Sequence, residues 1–226
     1  LDTMLYPLAT TADDEVYYNK ETTYEVAGKI NSNFDPRITT VNPVKEGSLV
    51  MYRDSFGNAL LPYMADAYAN AYFSRGIPYQ LSDVDTMNAD TVVIERAERF
   101  LPEMSQFPPV LTAKEVSLTG EEESTATDAA WDVKMKPQGT VVQVSGRIKE
   151  GYLDTDSRIY LRINGTVYEA FPMDIADGDR LDDNGFCLYM PAELALADGN
   201  DLEVLITKGD KYLNIYKNII EEDIIQ

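Results

Sequence analysis

The run Ser48-Leu49-Val50-Met51-Tyr52-Arg53-Asp54-Ser55-Phe56-Gly57-Asn58-Ala59-Leu60-Leu61-Pro62 decides how the first half of this chain is read. Ser48 to Tyr52 is a short apolar stretch behind Gly47, which predicts a buried strand. Beyond the turn residues, Leu61, Met64, Ala65, Tyr68 and Tyr72 recur at the spacing of one helix face. Pro62 has no N–H to donate and fits only a first turn, so the helix is expected to begin between Ala59 and Leu61. A second strand-like run, Thr91-Val92-Val93-Ile94, precedes Glu95-Arg96-Ala97-Glu98-Arg99. Strand, helix and strand in that order predict a right-handed crossover and a parallel sheet. Upstream, residues 1–47 read as irregular, with short β-prone runs at Tyr24-Glu25-Val26 and Arg37-Ile38-Thr39-Thr40-Val41.

Downstream, Pro108-Pro109 ends any preceding helix, and Gly120 to Ala130 is small, polar and acidic, as in a linker or exposed loop. After it, Arg158 to Ile163 and Thr166 to Phe171 alternate polar with apolar residues around Asn164-Gly165, a pair suited to the two positive φ angles of a type I′ hairpin turn. Thr140 to Ile148, Phe186 to Met190, Leu202 to Thr207 and Tyr212 to Tyr216 supply further strands. The expected organisation is a mostly parallel α/β portion over 1–115, a linker over 116–130, and an all-β antiparallel sandwich over 131–226.

Composition narrows the function. The 226 residues carry a formal net charge of −20, which repels phosphate backbones and anionic membrane surfaces. Neither nucleic acid nor membrane contact is therefore expected of this chain. No apolar run approaches the roughly 18–20 residues that span a bilayer. The single Cys187 excludes an intrachain disulfide and a multi-cysteine zinc site. There is no histidine, so no Ser-His-Asp triad and no His-ligated metal can be assembled from this chain alone. No cofactor or metal is called for by the motifs.

The turn is where chemistry concentrates. A serine leaving a buried strand stands at the carboxyl edge of a sheet, where α/β folds place ligands. Ser55 is the nucleophile candidate. Gly57 lets a substrate approach the backbone, Asn58 can donate from its amide toward an oxyanion, and Asp54 shapes the turn. The same four residues are also ordinary turn formers and caps.

Val50 to Pro62, followed by Val92 to Arg99, resembles the DHHW family of bacterial SGNH-hydrolase-like proteins, related to the alginate O-acetyltransferases, over roughly residues 1–104. The resemblance implies a three-layer α/β fold, Ser55 as nucleophile, acyl transfer to or from a cell-envelope polysaccharide, and an extracytoplasmic or cell-surface location. It also implies Asp and His partners upstream of the serine, which have no counterpart here. Arg53 stands where SGNH enzymes place Gly. The simplest expectation is the C-terminal part of a longer protein, inactive as it stands; a natural pseudoenzyme is the second. The alternative is a non-catalytic glycan-binding or cell-surface interaction protein.

Weaker signals carry ordinary readings. Glu95 and Arg99 have the spacing of a helical ion pair. Asp177 to Gly185 has the composition of a calcium loop but puts Leu181 at the third ligand, so it reads as an acidic turn. Asp83-Val84-Asp85-Thr86 lacks the apolar strand a phosphoaspartyl loop requires, and the Asn164-Gly165-Thr166 sequon is explained by the hairpin. Trp131 and Tyr152, Tyr160, Tyr168, Tyr189, Tyr212 and Tyr216 are the aromatic rings that could stack on sugars in the β region.

Overall fold

The computed structural model describes residues 21–124, 128–178 and 180–221, so residues 1–20 of the irregular N-terminal stretch lie outside the described residues. Five strands build the first sheet: β1 (Glu25–Val26), β2 (Arg37–Val41), β3 (Ser48–Tyr52), β4 (Asn70–Ser74) and β5 (Thr91–Ile94), in the order β1-β2-β4-β3-β5. β3 pairs in parallel with both β4 and β5. β2 runs antiparallel to β4, and β1 antiparallel to β2.

This overturns the mostly parallel three-layer α/β arrangement expected from the sequence. The sheet is mixed, and the described chain is mainly strand. Its helices are single short pieces at Leu61–Ala67, Ser82–Thr86 and Glu103–Gln106. A seven-residue helix is only about 10 Å long and cannot cover one face of a sheet as a layer. The helical spacing continued through Tyr68 and Tyr72, but Tyr68 is extended (φ −119°, ψ 148°) and Tyr72 lies in β4. The β-prone Tyr72-Phe73 pair takes its hydrogen bonds from β2 and β3 instead.

β3 is central and buried on both faces. Leu49 and Met51 pack with Ile38, Phe73, Leu61 and Ala65, which buries the apolar side of the short helix. Val50 and Tyr52 point the other way, onto Tyr79 and the partly buried Leu81 and Met104.

Eight strands form the second sheet: β6 (Glu121–Ser124), β7 (Ala130–Gln138), β8 (Val141–Ile148), β9 (Ile159–Ile163), β10 (Thr166–Asp177), β11 (Arg180–Pro191), β12 (Asn200–Lys208) and β13 (Lys211–Ile220). Their order is β6-β13-β12-β9-β10-β11-β8-β7, and every pairing is antiparallel except β6 with β13. β10 serves two halves. Thr166 to Ala170 pairs with β9, and beyond it Phe171 to Asp177 pairs with β11 across a bulge between Met173 and Ile175. The Ala129 N–H reaches the Ile215 carbonyl at 2.8 Å, joining the β7 end to β13. The folded-over sheet is sandwich-like, closing on one core that includes Met135, Val144, Leu161, Phe186, Val204 and Ile215. Asn164 and Gly165 turn β9 into β10 with φ of 52° and 88°.

Within the stretch read as a linker, β6 is fully exposed and paired with β13, where Arg162 engages Glu122 and Lys211 engages Glu123. Residues 125–127 of that stretch lie outside the described residues. The segment after Pro109 joins the two sheets: the Val110 N–H donates to the Tyr79 carbonyl, and the Ala113 N–H to the Tyr189 carbonyl, each at 2.8 Å.

Candidate active site

β3 ends at Tyr52, and the chain turns through Arg53 and Asp54 into a single 3-10 turn, Phe56–Asn58. Ser55 precedes that turn in helical conformation (φ −70°, ψ −24°). It is exposed, caps no N–H, and its hydroxyl forms no hydrogen bond among the described residues. The sequence-level placement of the serine at the end of a parallel strand therefore matches the geometry.

Its neighbours do other work than an oxyanion site requires. The Asp54 carboxylate accepts the N–H of Phe56 at 2.7 Å and that of Ala97 at 2.8 Å. Burial alone would raise the Asp54 pKa. These backbone donors outweigh burial and hold it below the usual carboxylate range. The N–H groups of Ala59 and Leu60 go to the carbonyls of Phe56 and Gly57. The N–H groups of Phe56, Ala59 and Leu60 are thus committed within the turn.

Gly57 is buried for lack of room. A Cβ there would lie 2.5 Å from a Glu95 carboxylate oxygen and 2.6 Å from the Arg53 Cβ. Glu95 itself accepts the Asp54 N–H at 3.0 Å. Asn58 is 8% exposed, and its Oδ1 accepts from the Arg53 guanidinium. Its Nδ2 is buried without a partner. Asn58 therefore answers Arg53 and presents no amide donor to solvent.

The Glu95–Arg99 helical pair does not form, because the chain leaves β5 at Ile94 and re-enters helical geometry only at Glu98–Phe100. Arg99 lies over the rings of Phe56 and Phe100 at 5.2 and 4.5 Å. Arg96 takes the ion pair, with Glu103. Asp83 to Thr86 lies within the Ser82–Thr86 helix.

In the second sheet, Asp177 to Gly185 is the tip and stem of the β10–β11 hairpin, with Asp179 outside the described residues. Asp182 pairs with Arg147 at 3.2 Å and accepts the Asn184 N–H at 3.0 Å. Tyr160, Tyr168 and Tyr189 offer no face, since all three are buried. Tyr152, Tyr212 and Tyr216 are half-buried. Trp131 is 48% exposed, carries the Arg147 guanidinium 5.0 Å from its ring, and edges a cleft of about 760 Å³ with Arg180, Asp182, Asp183 and Asn184.

Sequence reasoning passed over Arg53 and Arg75. Both follow directly on a parallel strand, and Arg96 stands two residues after a third. An arginine recurring behind successive apolar runs was the available signal.

No protein-family model matches this chain, and no curated protein matches it. Among solved structures it is similar to Bacillus cereus PatB1, both alone and with a sulfonyl adduct, at 20% identity and a TM-score of 0.26. The likeness covers 29% of this chain and 24% of PatB1, less than a third of either. At that overlap it bears on neither fold nor function.

Proposed function

We propose that Ser55 is the acyl-accepting nucleophile of a serine O-acyltransferase or esterase, acting on a cell-envelope polysaccharide outside the cytoplasm, of which this chain supplies only part of the machinery. The observation that supports this reading is the unengaged, exposed Ser55 hydroxyl at the carboxyl end of the central parallel strand. A merely structural serine in a turn would cap a helix or satisfy a backbone group.

In the reaction the Ser55 oxygen attacks the ester carbonyl, its proton passes to a base, and the alcohol leaves to give an acyl-serine. Asp54 is a poor base here: its oxygens are taken by N–H groups, and its pKa is held low. With no histidine in the sequence, this chain does not itself supply the usual imidazole base. The N–H groups of Phe56, Ala59 and Leu60 are engaged within the turn, so stabilising donors are needed besides them.

Chemical rescue tests the reading. The chain alone is expected to release no p-nitrophenolate from p-nitrophenyl acetate above a Ser55→Ala control. Added imidazole is expected to open a gap between the two, and equal rates at every imidazole concentration contradict the assignment.

A glycan-binding role is the second reading, favoured by the exposed face of Trp131 beside a polar cleft. Trp131 is the only tryptophan, so its fluorescence reports a titration with neutral or acidic oligosaccharides directly. An unchanged spectrum at saturating sugar removes this reading.

A further inference from the structure

The carboxyl edge of the first sheet carries an arginine behind each of its three parallel strands, β3 and the two that flank it: Arg53 behind β3, Arg75 behind β4 and Arg96 behind β5. All three line one cleft of about 230 Å³, together with Asp54, Phe100 and Glu103. The three charges are unequally answered. Arg96 pairs with Glu103 and lies over the Phe100 ring at 5.5 Å. The Asp54 carboxylate is turned to the N–H groups of Phe56 and Ala97. Neither acidic group of the cleft is therefore spent on Arg53 or Arg75.

Arg53 is only 2% exposed, yet it forms no ion pair among the described residues. One terminal nitrogen donates to Asn58 Oδ1 and the other to the Asp35 carbonyl at 3.0 Å, while Nε is buried with no acceptor. Arg75 also lacks an ion pair among the described residues, and donates to the Phe34 carbonyl at 3.0 Å. Burial first, and then the charge of Arg75, make the protonated Arg53 guanidinium less favourable than in water; Glu95 offsets part of this. A buried cation hydrogen-bonded only to neutral oxygens, with Glu95 near it but not paired to it, is only partly compensated. Tying the 34–36 loop to the sheet explains the two carbonyl bonds and leaves the rest of the charge unexplained. A guanidinium offers five donors in a planar fork suited to two oxygens of one anion.

We propose that this cleft binds a small oxyanion, a carboxylate or a phosphate group, held by Arg53 and Arg75. The inference rests on the two cations without an ion pair and not on the reactivity of Ser55. It adds a binding step to the same edge of the sheet. The Arg96–Glu103 pair and the Phe100 ring line the same cleft.

Calorimetric titration of the whole chain at low salt, with sodium acetate in one arm and inorganic phosphate in the other, tests it. A saturable one-to-one heat is expected in at least one arm, and the arm identifies the ligand class. Arg75→Gln, at a half-exposed site, is expected to weaken that binding about tenfold or more. Ser55→Ala is expected to bind as the parent chain does, which separates this proposal from the acyl-transfer reading. Should the Arg75 variant lose its fold, the Arg53 Nε–Hε resonance of the unmodified protein must still shift on titration. Absence of a saturable heat in both arms, a fixed Arg53 resonance, or undiminished binding by a folded Arg75→Gln overturns the proposal.

Discussion

In the second sheet Asn200 is wholly buried, and its amide is used on both sides: Oδ1 accepts the Leu196 N–H at 2.8 Å and Nδ2 donates to the Leu196 carbonyl at 3.0 Å. Glu203, also buried, meets Arg162 and Lys217. At the carboxyl edge of the first sheet, Arg53 and Asn58 are about as deeply buried and leave Nε and Nδ2 without partners. The second sheet has its own lapse, the Nε of Arg147, and it falls beside Trp131 at the edge of a cleft. Buried polar groups in folded proteins are nearly always paired, so the exceptions deserve a cause. Of the four such atoms among the described residues, Arg53 Nε and Asn58 Nδ2 gather at the strand ends where ligands bind in open sheets; the others are Arg147 Nε and Thr40 Oγ1. The difference teaches that unpaired groups gather at the first sheet's edge, whereas Asn200 and Glu203 inside the second are satisfied.

Two glycines, Gly57 behind the first sheet and Gly165 in the second, are needed for different reasons, and substitution should separate them. Gly57→Ala forces a methyl against Glu95 and Arg53, an overpacking expected to cost about 1–3 kcal/mol. Gly165→Ala meets no atom within 4 Å and suffers only its positive φ, for about 1 kcal/mol. Urea denaturation of both variants checks the order; a larger loss at Gly165 would break the comparison. The acid limb gives a smaller effect. Because the folded pKa of Asp54 is depressed, its contribution is present above its unfolded pKa, near the ordinary value of 3.8, and is lost as pH falls through the lower folded value. Asp54→Asn should therefore flatten the decline of stability below about pH 4. An acid profile identical to that of the parent chain would show that the turn does not depend on this carboxylate. Smallest of all, Ser55→Ala should change stability by less than about 0.5 kcal/mol, since its hydroxyl holds nothing. A loss well above that would mean the serine is structural.

How far the sequence could be read follows from how local each signal was. The β9–β10 hairpin is encoded in place, by alternation on either side of Asn164-Gly165, and formed as expected. β3 and β5 were legible as apolar runs, and their parallel pairing followed from the crossover between them. β4 was hidden, because Tyr68 and Tyr72 sit at helical spacing from Leu61 while the chain is already extended at Tyr68. Tertiary pairing with β2 and β3 overrode the local period. That misreading lengthened the expected helix, while the antiparallel pairing of β1 and β2 that makes the sheet mixed left no local signal. The site divides along the same line. The exposure of Ser55 depends on the strand it leaves and was readable from neighbours. The employment of Asp54 was not, since its second partner, Ala97, is 43 positions away. Gly57 shows the same limit in part: its requirement comes from Arg53 nearby in sequence and from Glu95, just beyond β5.

The central claim is that Ser55 is presented for acylation and lacks only a base and charge stabilisation. Site-resolved mass spectrometry after brief exposure to p-nitrophenyl acetate with imidazole measures this directly. The account expects acetyl-Ser55 to accumulate ahead of every other serine, and to do so only when imidazole is present. Acetyl groups spread over other exposed side chains, with Ser55 no more modified than they are, would contradict it.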